Sequence, residues 1–470
     1  MRRVYLAELR DSWPAWLGVS LVFVVVNACL AITAITYWTG DRAVAEGRLS
    51  QLDAAYYTIS QVIVAVFLLF VAVPVIGSAT ALVVDSRRGS LARLALAGAS
   101  PGQVRLTVTS QLAVVSLVCA LIGAVIAIAG TGGWFWLTAY GYQSEPAFTL
   151  LDPLIAPVPI LASCGLCVVV SVVAGSRQAR AASLIPPVEA LRQSQALPRS
   201  TRLRAGGWIK LVLLALLVLV SFGSVPFQVA HRYKETVSNL FILSYAQIFV
   251  WSALLAVIAP VLVKPVTRGW TRLVPSAAPT WQLARSTVSA RADRLYKSVV
   301  PVMFSFAIGV GSLTIGDSGF RAITLYMGEP ELSLPSWDSY LYLFGFPVLI
   351  AFAGGVGALI MMSKQRDAEL ALVAIVGATP RQRVLVPVLE AVIITVTGLL
   401  LSAVAIVPSV VFQAYALTAA GLPWRLELSA ALVLGVFAGG LLLTGLATVL
   451  PTLPAQRLPE PRVIARLVAE

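Results

Sequence analysis

Ten apolar runs set the terms for anything this chain can fold into. They lie at 15–38, 57–84, 106–128, 153–175, 207–227, 239–263, 299–316, 339–363, 384–411 and 428–450. An α-helix of about 20 residues crosses the ~30 Å hydrocarbon core of a bilayer, and each run is near or above that length. Backbone amides in hydrocarbon can bond only along their own helix or around a closed barrel. Runs this long and continuous, without strict alternation, choose the helix. The expected fold is therefore an all-α polytopic membrane protein of about ten transmembrane helices. Composition agrees: 12% of the 470 residues are charged, against about 25% in ordinary soluble domains, and the mean hydropathy is +0.88.

A net charge of +13 invites a nucleic-acid reading, but its placement removes the need for one. If the N-terminus is cytoplasmic, 28 of the 34 Lys and Arg residues fall in cytoplasmic segments. That is the positive-inside bias, and it puts both termini in the cytoplasm. The N-terminal "MRRVYLAELRDSWPAWLGVS" is read as a retained first span, not a cleaved leader, because its apolar run is too long and no small-residue cleavage site follows. Tyr5, Leu9 and Trp13 recur every four residues, as in a short interfacial helix. Trp281, Ala284, Val288 and Leu295 repeat that pattern before the seventh span. Trp13, Trp38, Trp134, Trp208, Trp337 and Trp424 sit near span ends, as in an aromatic belt.

The four cysteines include a CxxC, Cys164 and Cys167, within the fourth span. With no second CxxC, and with the only histidine (His231) in a loop, packing is a better reading than a metal or redox pair.

Self-similarity organises the chain. A gapless shift of 279 superposes "GSLARLALAGASPGQV" (89–104) on "AELALVAIVGATPRQR" (368–383). Arg87, Leu91, Ala92, Ala95, Gly98, Ala99, Pro101 and Gln103 match Arg366, Leu370, Ala371, Ala374, Gly377, Ala378, Pro380 and Gln382. Six spans separate the phrases, so the repeats are parallel across the membrane. The expected organisation is a four-span unit over 1–192, a two-span connector over 193–275, and a second four-span unit over 276–470. No loop is large enough for a separate domain; the longest on the outer side, 317–338, has 22 residues against the ~50 a domain needs.

Each phrase reads as a short helix with a designed stop and restart. In the second copy Asp367 and Glu369 suit the positive end of a helix. Leu370, Val373, Ala374 and Gly377 recur at helical spacing. Gly377 suits a left-handed stop, and Thr379-Pro380 suits a new cap and first turn. The first copy uses Leu91 and Leu94 as its stripe, Gly98 as its stop, and Ser100-Pro101 as its restart. Such a helix could simply anchor its loop at the membrane surface, or present a docking surface to a cytoplasmic partner. Duplication favours docking, by two copies of one partner.

At this point the residues resemble a family. Arg366, Glu369, Leu372, Gly377, Ala378 and Thr379 follow the approximate pattern R-x-x-E-x-x-L-x-x-x-x-G-A-[ST] of FtsX-like permeases, the membrane subunits of MacB-type ABC transporters. The first copy keeps Arg87, Gly98, Ala99 and Ser100, with Ser90 in place of the acid and Arg93 in place of the leucine. The tail Pro187–Arg192, "PVEALR", also resembles that family's segment after a fourth span. The ten-span single chain is similar to bacitracin-efflux permeases, without their large extracellular domain.

The resemblance implies coupling helices near 87–100 and 366–379. Their contact residues would be Arg87, Leu91, Leu94, Gly98, Ala99, Ser100 and Pro101, and Arg366, Glu369, Leu370, Val373, Gly377, Ala378, Thr379 and Pro380. It implies two copies of a cytoplasmic ABC ATPase as partners, with ATP and Mg bound there and no cofactor on this chain. None of the five lysines follows a glycine, so a G-K-[ST] phosphate loop is lacking. The implied activity is export of an amphipathic or lipid-like compound (antimicrobial peptide, drug or lipid) across a bacterial cytoplasmic membrane. The alternative is transmembrane signalling without net transport; an ion-coupled transporter would need more charges within its spans.

Two further features stand out. Glu390 is the one acid expected well inside a span, and the repeat places Gln111 at its equivalent. A charge there suggests function, while helix–helix hydrogen bonding explains the pair more simply. Gly435 and Gly439 form a GxxxG expected to let helices approach closely.

Overall fold

In the computed structural model the expected helices form, and no strand is present among the described residues. Those are residues 13–87, 91, 94, 96–141, 151–183, 205–231, 236–276, 278–290, 292–328, 337–361, 373–375 and 377–449. Among the described residues eleven helices of 12 residues or more follow in order: α1 (Trp13–Ala45), α2 (Gln51–Ser86), α3 (Pro101–Gly141), α4 (Pro157–Ser183), α5 (Ala205–Ala230), α6 (Thr236–Arg272), α7 (Pro279–Ala290), α8 (Ala292–Met327), α9 (Trp337–Met361), α10 (Pro380–Ala419) and α11 (Ala430–Val449). Among the described residues nine helices are long and apolar enough to cross a membrane, and α11 adds a shorter apolar stretch, Val433–Val449. The protein is an all-α multi-pass membrane protein. Tyr5 and Leu9 lie outside the described residues.

Several helices outrun their hydrophobic segments. The 41 residues of α3 and the 40 of α10 extend about 60 Å at 1.5 Å per residue, twice the hydrocarbon thickness. The expected loop 317–338 is corrected in the same sense, since α8 continues to Met327.

The chain forms two compact units. In the first, α1 is the centre, packed by α2, α3 and α4, with the part of α9 from Leu349 grouped alongside. Small residues set the spacing. A Cβ on Gly123 of α3 would lie 2.6 Å from the Val24 carbonyl of α1, and one on Gly357 of α9 would lie 2.5 Å from the Gly18 carbonyl. Polar side chains then tie the helices: Asn27 Nδ2 donates to the Ala120 carbonyl at 2.6 Å, and the Tyr57 hydroxyl to the Thr36 carbonyl at 2.8 Å. Cys164 and Cys167 are buried free thiols in α4. The CxxC packs against α1, with Cys164 Sγ 3.7 Å from Asn27 Nδ2.

The second unit is built on α6, α8 and α10. In its most apolar window α8 is 89% buried and α5 is 17% buried, so α8 is core and most of α5 faces outward. The helices α5 and α6, expected as a connector, belong to this unit. Phe222 and Val225 of α5 and Leu240 of α6 share a hydrophobic cluster with Ala322, Phe412, Ala416, Leu417 and Leu422. Near the middle of α10, Trp270 Nε1 donates to Thr397 Oγ1 at 3.0 Å. The amphipathic helix α7 is as the spacing predicts: Trp281, Ala284 and Val288 are its buried residues, and it lies against α10.

The GxxxG expectation is corrected. Gly435 and Gly439 have open space where a Cβ would stand, while Gly440 lies beneath the Phe306 ring, 2.5 Å from a hypothetical Cβ. Spacing identifies small residues but not the direction in which they point. Replacing Gly357 by valine should therefore lower stability by about 1–3 kcal/mol, and Gly439→Ala should leave it unchanged or raise it. Thermal unfolding of the detergent-solubilised protein, followed by tryptophan fluorescence, measures the difference.

Candidate functional site

The two duplicated loops are built by the same local chemistry. After α2 ends, the Leu91 amide donates to the Arg87 carbonyl at 3.0 Å, continuing helical bonding. Gly98 then adopts φ +88°, a left-handed conformation that costs an L-residue about 1–2 kcal/mol. The Ala99 amide reaches back to the Leu94 carbonyl at 3.1 Å, the six-to-one bond of a Schellman stop. The restart is a capping box: the Ser100 amide donates to Gln103 Oε1 at 2.9 Å, and the Gln103 amide to Ser100 Oγ at 3.3 Å. Pro101 opens α3 at the position where its missing N–H costs nothing.

The second copy makes the same turn. Gly377 has φ +104°; its amide bonds the Ala374 carbonyl at 3.0 Å, and the Ala378 amide bonds the Val373 carbonyl at 3.2 Å. Both bonds of the Schellman motif are thus present. Thr379 precedes Pro380, which opens α10. Arg366, Glu369 and Leu370 lie outside the described residues.

Burial separates the anchors of the first loop from its outward face. Arg87 is 5% and Leu91 2% exposed; Leu94 is half-buried. The Arg87 guanidinium donates through Nη1 to Gln111 Oε1 on α3 and lies 5.5 Å from the centre of the Trp16 ring on α1. A buried charge is tolerated only with such partners. The outward apolar residues are Leu96, 51% exposed, and Ile375, 60% exposed. They occupy equivalent positions, each two residues before its glycine. The helical stripe read from Leu91 and Leu94 marked the inward face. The missed signal was a large apolar residue held at the same place on the other face of both copies.

Gln111 is fully buried, and Glu390, its counterpart on α10, is 4% exposed. A second buried acid escaped the sequence reading. Asp317, expected to begin a loop, lies within α8 at 6% exposure, and the Tyr340 hydroxyl of α9 donates to its Oδ1 at 2.7 Å. No group of three or more His, Cys, Asp or Glu residues able to hold a metal occurs among the described residues.

Residues 62–181 match the family model described as FtsX-like permease C-terminal. Over that segment the chain is similar to FtsX-like permeases. The matched segment is about a quarter of the chain and runs from within α2 to near the end of α4. It contains the first loop, Arg87 and Gln111. No curated protein and no solved structure matches the chain.

The Arg87–Gln111 contact generates a prediction. Gln111→Leu removes one acceptor from a buried guanidinium and should destabilise the protein by about 2–4 kcal/mol. Gln111→Glu, which installs the residue found at position 390, should be tolerated. Comparing the thermal midpoints of the two variants in the same detergent tests this.

Proposed function

We propose that this permease is the membrane subunit of an ABC transporter, with both termini and both duplicated loops on the cytoplasmic side of a bacterial membrane. Two copies of a separate ABC ATPase dock on those loops, bind ATP and Mg, and drive export of an amphipathic or lipid-like compound. The observation that carries this reading is the duplicated loop itself. Each copy ends a short helical turn at a left-handed glycine, holds an exposed aliphatic side chain two residues earlier, and restarts as a long helix at a proline. An aliphatic side chain standing out from a short, tightly stopped turn suits a hydrophobic groove on a soluble partner. The family-model match supports the same reading, since the first of these loops lies inside the matched segment.

In this reading Leu96 and Ile375 are the inserting residues, while Arg87 and Leu91 hold the first loop against its helices. A buried aliphatic anchor at an interface centre contributes about 2 kcal/mol or more. Each aspartate substitution, Leu96→Asp or Ile375→Asp, should weaken ATPase binding about 30-fold or more at its own loop. Native mass spectrometry of the permease in nanodiscs, titrated with its ATPase, should count two subunits on the unmodified chain, one on either single variant and none on the double variant. Two ATPases retained by the double variant would rule out docking at these loops.

A further inference from the structure

The second unit holds a small cleft lined by Val310, Leu313, Thr314, Asp317, Leu428, Ser429 and Val433. Its volume is about 200 Å³ counted to the open mouth, and its floor admits a group of about the size of one water. Its height in the membrane follows from α10. Gln413 Nε2 donates to the Ile315 carbonyl at 2.7 Å, which places the level of Asp317 about 50 Å along α10 from Pro380 at 1.5 Å per residue. The cleft is therefore on the membrane side opposite the start of α10.

Its polar atoms are acceptors. The Thr314 hydroxyl donates to the Val310 carbonyl at 2.8 Å, which leaves its lone pairs as what it can offer a ligand. The Asp317 carboxylate accepts from Tyr340 on Oδ1 alone; no other hydrogen bond or ion pair reaches it among the described residues. Arg321, one helical turn away, is instead 3.2 Å from Glu427. That pair, with the Glu427 amide donating to Ser318 Oγ at 2.9 Å, pins the segment leading to Ser429. A 94%-buried carboxylate thus lines a cavity, with no ion pair to a cation among the described residues.

We propose that this cleft binds the primary ammonium group of an alkylamine or of an amphiphile that carries one. The polar lining of the cleft, the Asp317 carboxylate with the Thr314 and Ser429 hydroxyls, offers oxygens to the N–H donors of an ammonium head. They are too few for Ca²⁺, which takes 6–8 oxygens, or for octahedral Mg²⁺. A quaternary ammonium has no N–H to donate and is recognised by aromatic cages, whereas the walls here are aliphatic. Val310, Leu313, Leu428 and Val433 suit the methylenes that follow the head. The site lies within the second unit and is independent of ATPase docking.

The test uses the full-length permease in nanodiscs without any ATPase. Saturation-transfer NMR follows binding of n-butylamine at neutral pH, where an aliphatic amine is protonated. Saturable binding is expected, with at least a tenfold loss for Asp317→Asn and a loss of about three- to tenfold for Thr314→Val and for Ser429→Ala. Tetramethylammonium should neither bind nor compete. If Asp317→Asn does not fold, as judged by gel filtration and thermal melting, the Thr314 and Ser429 variants decide. Absence of saturable binding, undiminished binding in the folded variants, or displacement of the amine by equimolar Na⁺ or K⁺ would overturn the proposal.

Discussion

A peptide group in hydrocarbon can bond only along its own helix, and everything else in this structure is arranged around that constraint. With the backbone satisfied internally and lipid as apolar as leucine, burial no longer drives helices together as it does in water. Association falls to close approach and to scattered polar contacts. Gly123 against Val24, Gly357 against Gly18 and Gly440 beneath Phe306 supply the first. Asn27, Tyr57 and the Trp270–Thr397 bond supply the second. The large aliphatic side chains that dominate the composition are left to face lipid along much of α3 and α5.

Charges inside such a framework survive only where a partner waits for them. Arg87 is enclosed because Gln111 and Trp16 meet it. Asp317 is enclosed with a single phenolic donor. The two cases differ in what is left over. The arginine site joins α1 to α3 beside the first loop and reads as a structural clasp. The aspartate site leaves a carboxylate oxygen facing a cleft.

The span pattern, the duplicated loops and the inward face of α7 were legible because each depends on periodicity or self-similarity, which hydropathy and alignment of the chain with itself reveal. Even the left-handed glycines were readable, since few other residues stop a helix as Gly98 and Gly377 do. Asp317 was hidden because a charged residue ends a hydropathy run whether or not the helix ends with it. Gly440 was hidden behind the Gly435–Gly439 spacing because a motif states separation and not facing. Leu96 was hidden because an apolar residue off the stripe draws no notice in one copy; only its counterpart Ile375 makes it informative.

The length of α10 gives the second unit a mechanical property. One continuous helix begins at the Gly377 turn and reaches the level of the Asp317 cleft, where Gln413 bonds α8. A helix resists compression along its axis, so an axial thrust delivered at Pro380 reaches Gln413 as a push-rod delivers its stroke, with no relay of side chains between. Pro387 and Pro408 each remove one backbone hydrogen bond from that rod. The rod is stiff in thrust and compliant in bending at two known heights.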